Sequence, residues 1–437
     1  MFKTLRDAFR IKDIRKKLFY TFAMLVLVRI GSQLPVPGVN RNYFQNWFAE
    51  QSNGAFSFFS AFTGGSFEKM SVFALNITPY ITSSIIMELL SIAIPALEEM
   101  HRDGEDGRKK ITAITRYLTV GLALFESTAM AIGFGRSGLI TNFNVFSALV
   151  VIVALTAGST LVMWIGERIT ENGVGNGISI VLLINILSRL PQDLSTLGAQ
   201  FVSGKSVAKA GMAIVIIAFV ILLTVVLTIL LTEAVRRIPV QYAKKMQGRR
   251  MVAGQSSNIP LKVNTAGVIP VIFASSLFSI PSIILSFTGK SVSGVWATVF
   301  GILNQNNWFD FSHPIYFIGL ALYIVLIIFF AYFYTSITFN PIEVADNLKK
   351  QGGFIPGIRP GKPTTDYLQR ILNYIIFIGA CGLIVVVLIP IFFNGVFNAD
   401  VSFGGTSLII IVGVVLETLQ QIESQMLVRN YKGFLSE

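Results

Sequence analysis

Ten apolar runs, at 18–36, 71–94, 111–135, 146–166, 177–190, 211–234, 265–287, 314–338, 371–393 and 406–424, decide most of what this chain can become. About 20 consecutive apolar residues cross a bilayer as helix. The hydrocarbon core has no water to satisfy exposed peptide groups, so an open spanning segment must bond its backbone internally. The expected fold is therefore an all-α polytopic membrane protein with ten transmembrane helices. Its 53% hydrophobic and 13% charged residues fit that class and exclude an ordinary soluble globule. In a soluble protein the net charge of +12 would suggest nucleic acid. Here it must first be apportioned among the loops.

The apportioning is lopsided. Most of the 35 Lys and Arg residues fall in alternate connections, from Lys3 to Lys17, around Arg108 to Lys110, from Arg236 to Lys262 and from Lys349 to Arg370. The intervening connections hold few, among them Arg41, Lys69, Arg189 and Lys290. By the excess of cations on the cytoplasmic side, both termini are expected inside. The N-terminus is too basic, and too poor in small residues after its first apolar run, for a cleavable leader, so the first helix is expected to serve as its own insertion signal. The only cysteine, Cys381, lies within an apolar run, which leaves no internal disulfide and no cysteine-based metal site.

Two neighbouring segments of the first half are of the wrong kind for simple spans. AFSFFSAFTGG, residues 55–65, is apolar and aromatic but only eleven residues long. The run that follows is long enough yet carries Asn76, Thr78, Pro79, Tyr80, Thr82, Ser83, Ser84 and Glu88. Unsatisfied polar groups in hydrocarbon cost several kcal/mol each, so this helix must face something polar or water-filled. We read the first segment as a half-helix packed into a cavity and the second as a lining of that cavity. A loop helix followed by an ordinary bundle helix fits the same residues.

Ten spans divide into halves 1–190 and 191–437, and five being odd, equivalent helices would cross in opposite senses, as in an inverted repeat. The abnormal spans fall at matching places: the second, the fifth (177–190, fourteen residues, with Asn185), the seventh (Pro270, Ser275, Ser276, Pro281) and the tenth, which turns polar at Glu417, Gln420, Gln421 and Glu423. Short or broken segments at corresponding positions of two halves point to a site near the midplane. On the second span Ile77, Ile81 and Ile85 recur every four residues and share one face. Such a stripe serves helix packing in most proteins; beside a polar conduit it would form a constriction that excludes water and ions without a fixed charge.

Enzyme chemistry finds no foothold. His101 and His313 sit at loops on opposite sides, and the sequence has no HExxH, GxSxG or Walker A pattern. GVGNG, 173–177, connects two spans and reads as a tight hairpin rather than a nucleotide loop. Charges at membrane depth are few, Arg29, Glu88, Arg116 and Glu126, which counts against ion-coupled transport. No cofactor is expected. The connections 235–263 and 339–370 are basic; Gly and Pro turns in the second hold Arg359 outward, a surface suited to an acidic or RNA-containing partner.

FALNITPYITSSIIMELL, HRDGEDGRKKI, GERITENGVGNGISI, RRIPVQYAKKMQGRR, PLKVNTAGVIPVIFASS and GFIPGIRPGKPT, in that order, resemble the SecY family over essentially the whole chain. The resemblance implies a protein-conducting channel, not an enzyme, that passes unfolded secretory chains and releases transmembrane segments sideways into lipid. It implies a plug at 55–65 (Phe56, Phe58, Phe59, Phe62, Gly64, Gly65) and a pore ring of Ile77, Ile81, Ile178, Leu182, Ile272 and Ile410. It further implies a lateral gate with a polar cluster of Thr82, Glu126 and Asn264. The docking surface would comprise Arg236, Arg237, Lys244, Lys245, Arg249, Arg250 and Arg359. The partners implied are SecE, SecG, SecA, the ribosome with its RNA, and the nascent polypeptide or signal peptide, with SecDF and YidC as further ones, in the bacterial plasma membrane. The competing expectation is a ten-span secondary transporter of a small solute.

Overall fold

The computed structural model describes residues 2–51, 62–135, 140, 143–202, 207–242, 245–247, 250–252, 256–288, 295–309, 313–397 and 405–433. Fifteen α-helices lie within these: α1 Phe2–Arg10, α2 Lys12–Gly31, α3 Arg41–Gln51, α4 Thr78–Ala93, α5 Pro95–Arg102, α6 Glu105–Phe134, α7 Val145–Asn172, α8 Gly177–Leu197, α9 Val207–Glu233, α10 Ile269–Thr288, α11 Val295–Leu303, α12 Phe317–Thr338, α13 Pro341–Lys350, α14 Lys362–Phe397 and α15 Gly405–Gly433. Among the described residues, seven stretches, drawn from α6, α7, α8, α9, α12, α14 and α15, are long and apolar enough to cross a membrane. The chain is a multi-pass α-helical membrane protein.

The other three expected spans fall short for identifiable reasons. The helix α2 carries Lys12, Asp13, Arg15, Lys16, Lys17 and Arg29, and α4 has only 16 residues. In α10 the described apolar part covers Ile269–Phe278. Conversely, the fifth span is not short. The helix α8 runs 21 residues and continues as a π-turn over Gly198–Val202. It carries Arg189 inward, because that side chain pairs with Glu68 and Asp193 at 3.3 and 3.6 Å. The tenth is likewise a 29-residue helix that passes through its polar second half.

Each half has its own core. In the first, Phe44 meets Phe67 and Phe134 edge-on at 5.3 and 5.4 Å, amid Met70, Met130 and Leu155. In the second, Phe278, Trp308 and Tyr323 pack mutually, with the Trp308 indole donating to Ile302 O at 2.8 Å and Ser275 bonded to the Tyr323 hydroxyl at 2.9 Å. A third cluster draws residues from both halves.

Small residues set the closest approaches. An added methyl on Gly177 would meet the Gly166 carbonyl of the neighbouring α7 and lie 2.7 Å from Ile169 Cβ, whereas one on Gly121 would meet nothing within 4 Å. Overpacking of this kind costs about 1–3 kcal/mol. We expect Gly177→Ala to lower the thermal unfolding temperature of the detergent-solubilised protein and Gly121→Ala to leave it unchanged or raised. Equal behaviour of the two variants would contradict the close α7–α8 contact.

The first basic loop, read in the sequence only for its charge, contains a β-hairpin. Strand β1 (Val235–Tyr242) pairs antiparallel with β4 (Ser256–Lys262), from Val235 opposite Lys262 to Gln241 opposite Ser256. Strands β2 (Lys245–Gln247) and β3 (Arg250–Val252) pair beyond it. From the second basic loop comes β5 (Gly353–Phe354), which adds to β1 through Gln241↔Phe354 and Tyr242↔Gly353. Beneath the sheet, Ile238, Val240 and Leu261 pack on Ala345, Leu348, Ile355, Leu368 and Ile371. That second loop also contains α13, begun by Asn340, whose side chain accepts from the N–H groups of Ile342 and Glu343 at 3.1 and 3.5 Å, with Pro341 in the first turn.

Candidate functional site

The element that builds the site is the connector before α4. Residues 64–77 are not helical, yet Phe67, Met70, Ser71, Phe73, Ala74, Leu75, Asn76 and Ile77 are all buried. Irregular backbone at such depth is tolerated only where protein covers and satisfies it. Here Val72 N–H donates to Leu34 O at 2.8 Å, Val36 N–H to Met70 O at 3.1 Å, and the Ser159 hydroxyl to Asn76 O at 2.9 Å. Because the helix starts only at Thr78, Ile77 and Ile81 stand at its first turn. On α8, Asn176 caps the helix by accepting from Ile178 and Ser179 N–H, which sets Ile178 and Leu182 four apart on one face. Ile272 lies in the first turn of α10 and Ile410 in the second turn of α15.

These six residues, from four helices and both halves, lie in a single hydrophobic cluster that also takes in Phe62. Ile77, Leu182 and Ile410 are buried, and Ile81, Ile178 and Ile272 partly so. Ile85 departs from the stripe and packs into the core of the second half. A collar of this composition offers water no partner and a solute no charge. Of the segment 55–65, only Phe62, Thr63, Gly64 and Gly65 fall within the described residues; Phe56, Phe58 and Phe59 lie outside them.

Beside the collar sits a small polar network. Asn185 Nδ2 donates to Asn76 Oδ1 at 3.0 Å, and Asn76 Nδ2 donates to Thr63 O at 3.4 Å. Both asparagines are fully buried. Asn185 Oδ1 has no hydrogen-bond partner among the described residues. Each bond contributes a net 0.5–1.5 kcal/mol or so, and a buried unpaired acceptor costs about 1–3 kcal/mol. The network therefore positions its segment more than it strengthens the fold. Asn76 (φ 50°) and Met70 (φ 43°) are the non-glycine residues of positive φ among the described ones. Asparagine tolerates that region and methionine seldom enters it.

Thr82, Glu126 and Asn264 are not joined by hydrogen bonds among the described residues. The Thr82 hydroxyl turns back to Thr78 O at 3.1 Å, and Glu126 Oε2 is buried with no hydrogen-bond partner among the described residues. Asn264 precedes α10 by five residues, in the bend after β4, although α6 and α10 themselves are in contact. Among the basic residues, Arg236 and Arg237 stand exposed on β1. Lys245 and Arg250 belong to β2 and β3, while Lys244 and Arg249 lie outside the described residues. Arg359 is exposed between Ile358 and Pro360, and its carbonyl accepts from the Thr364 hydroxyl at 2.8 Å. Buried Ile355 and partly buried Ile358 anchor that turn in the core beneath the sheet.

Sequence reasoning missed the Asn76–Asn185 pair and the Glu68–Arg189 link. Asn76 and Asn185 had stood out singly as polar residues in apolar runs, but nothing in the sequence pairs positions so far apart. Arg189 had been assigned to a connection rather than to a helix.

The profile of the SecY family matches residues 71–419. The protein translocase subunit SecY of Halalkalibacterium halodurans is 45% identical over 443 residues, covering 100% of both chains. That of Streptomyces galbus is 45% identical over 442 residues, covering 98% of each, and that of Mycobacterium bovis 41% over 453 residues, again 98% of each. Among solved structures, one described as a protein conducting channel superposes with a TM-score of 0.64 at 18% identity, over 94% of this chain and 93% of that one. Another, concerned with the plug domain that stabilises the closed state of the SecY channel, gives 0.63 at 18% identity over 94% and 92%. Sec61 in a canine ribosome-channel complex gives 0.56 at 16% over 94% and 93%.

Proposed function

This chain belongs to the SecY family, and from that premise we propose that it is the channel-forming subunit of a protein translocase, a conduit and not an enzyme. The observation that carries the mechanism is the single aliphatic cluster formed by Ile77, Ile81, Ile178, Leu182, Ile272 and Ile410 from four helices. At rest these side chains meet and keep the path dry, with Phe62 packed in the same cluster. An unfolded polypeptide parts them without binding, since they present no charge and no hydrogen-bonding group, and they close around its outline to limit leakage. Halves 1–190 and 191–437 act as the two jaws. A sufficiently apolar segment leaves sideways between α4–α6 and α10–α12, past Thr82, Glu126 and Asn264.

Driving force comes from outside the chain, by ATP hydrolysis in SecA or by elongation on the ribosome. Both are served by the basic residues Arg236, Arg237, Lys244, Lys245, Arg249, Arg250 and Arg359, whose charge suits acidic protein or ribosomal RNA. SecE and SecG complete the complex, with SecDF and YidC as further partners. The charge distribution supports a bacterial plasma-membrane setting with both termini cytoplasmic. The secondary-transporter alternative has no support, since the relatives matched over their whole length are translocase subunits.

Photocrosslinking tests the path. A photoreactive residue at position 77 or 272 is expected to react with a stalled nascent chain, while one at Leu222, exposed on the outside of α9, is expected to react with lipid only. Absence of adducts from both 77 and 272 would remove the cluster from the route.

A further inference from the structure

We propose that the groove between α2 and α8 binds an anionic phospholipid, with its phosphate at Arg29 and an acyl chain lying along α2. Such a site depends only on the membrane fold and the topology given above, and would exist whatever the chain conducts.

Arg29 lies inside α2, and the conduit makes no use of it. Its Nη1 is buried and has no hydrogen-bond partner among the described residues. A cation at membrane depth is costly unless an anion or a carbonyl meets it, so a bare one marks a binding position. Around it is a groove of about 410 Å³, lined by residues of α2 from Phe22 to Ile30, by Gln33 just beyond that helix and by Ile184 of α8. No carboxylate lines it among the described residues. Glu68 and Asp193, on the connector and on α8, are engaged with Arg189 at 3.3 and 3.6 Å. Arg29 must therefore find its anion outside the chain.

The walls are sorted by polarity. Phe22, Leu25 and Val26 stand toward the cytoplasmic end, Arg29 and Gln33 toward the outer end. Gln33 Oε1 accepts from Lys69 Nζ at 3.1 Å, which brings a second cation to that end. Phe22, Val26 and Ile30 are exposed, so the groove opens sideways toward lipid and not into the bundle. From Phe22 to Ile30 the helix rises about 12 Å, and Gln33 adds roughly one more turn, so the groove matches one leaflet's share, about 15 Å, of the hydrocarbon core. A phospholipid of the outer leaflet has this same order, charge above and hydrocarbon below. A helix from another subunit would leave Arg29 bare unless it supplied a carboxylate. Leu25 belongs both to the groove and to the cluster that contains the collar, so the bound chain lies one side chain away from the collar's packing.

The experiment places a photoreactive residue at Val26 in the complete complex, reconstituted in vesicles of phosphatidylethanolamine with a minor share of phosphatidylglycerol, and identifies the crosslinked lipid by mass spectrometry. Position 222, exposed on α9, is the control. Phosphatidylglycerol is expected to be enriched at 26 about fivefold over its share of the vesicle, the factor set by one cation near anionic lipid, while adducts at 222 follow the bulk composition. Arg29→Gln is expected to abolish the enrichment and Arg29→Lys to keep part of it, because a point charge still attracts phosphate without the guanidinium fork. The comparison of 26 with 222 decides even where Arg29→Gln fails to insert. Bulk composition at 26, or equal enrichment at 26 and 222, would overturn the proposal. So would enrichment unchanged in Arg29→Gln, since the cation would then have no part in it. A crosslink to a protein subunit in place of lipid would overturn it as well, and would give the groove to a partner helix.

Discussion

Replacing Ile77, Ile178 and Ile410 together by asparagine is expected to raise the resting ion conductance of the reconstituted complex by about tenfold or more. The three residues come from α4, α8 and α15 and share one cluster, so each substitution places an amide where a file of water would have to pass. An aliphatic constriction blocks ions by refusing to wet, and three amides supply the hydrogen bonds that wetting lacks. The control is Leu222→Asn on the exposed face of α9, which is expected to leave conductance unchanged. Alanine at the same three sites widens the collar without wetting it and is expected to leak less than asparagine. If the asparagine triple inserts normally and stays as tight as the wild type, the collar is not the barrier.

Arg359→Glu is expected to reduce ATP-driven transport of a secretory protein into vesicles by about tenfold, because at the docking surface we propose a charge reversal would turn an attraction into a repulsion. Folding is expected to be untouched. The Arg359 side chain is exposed, and the turn is held by its backbone, through the Thr364 hydroxyl, and by Ile355 and Ile358 beneath it. Arg359→Lys separates charge from shape: retained transport would show that a cation suffices, and lost transport that the guanidinium fork is read. Normal transport by Arg359→Glu would exclude the tip from docking.

How far these features could be read in advance depends on what kind of signal carries them. Long apolar helices announce themselves, since lipid leaves a chain so few options. The polar load from Asn76 to Ser84 marked the second span as abnormal, but that span was read from residue 71, and its non-helical approach over 64–77 was not foreseen. Helix length was misjudged where charges entered, as at Arg189, whose partner Glu68 comes from a distant segment and makes its burial tolerable. The hairpin of the first basic loop was overlooked although Ile238 and Val240 alternate with exposed neighbours. Its arginines had been read for topology, and one signal hid the other. Asn340-Pro341 is a helix start by local chemistry and was passed over for the Gly and Pro turns that follow it from Gly352. The Asn76–Asn185 contact lay beyond local reasoning, being a product of how α4 and α8 meet.

The pairing of Gln241 and Tyr242 with Phe354 and Gly353 stitches together two connections that lie more than a hundred positions apart along the chain. One begins where α9 ends and leads into α10; the other begins where α12 ends and leads into α14. A load applied at Arg359 is thus shared with the hairpin before it reaches either pair of helices. A pull on either connection is therefore passed to the other, and through the core they share to α13 and α14.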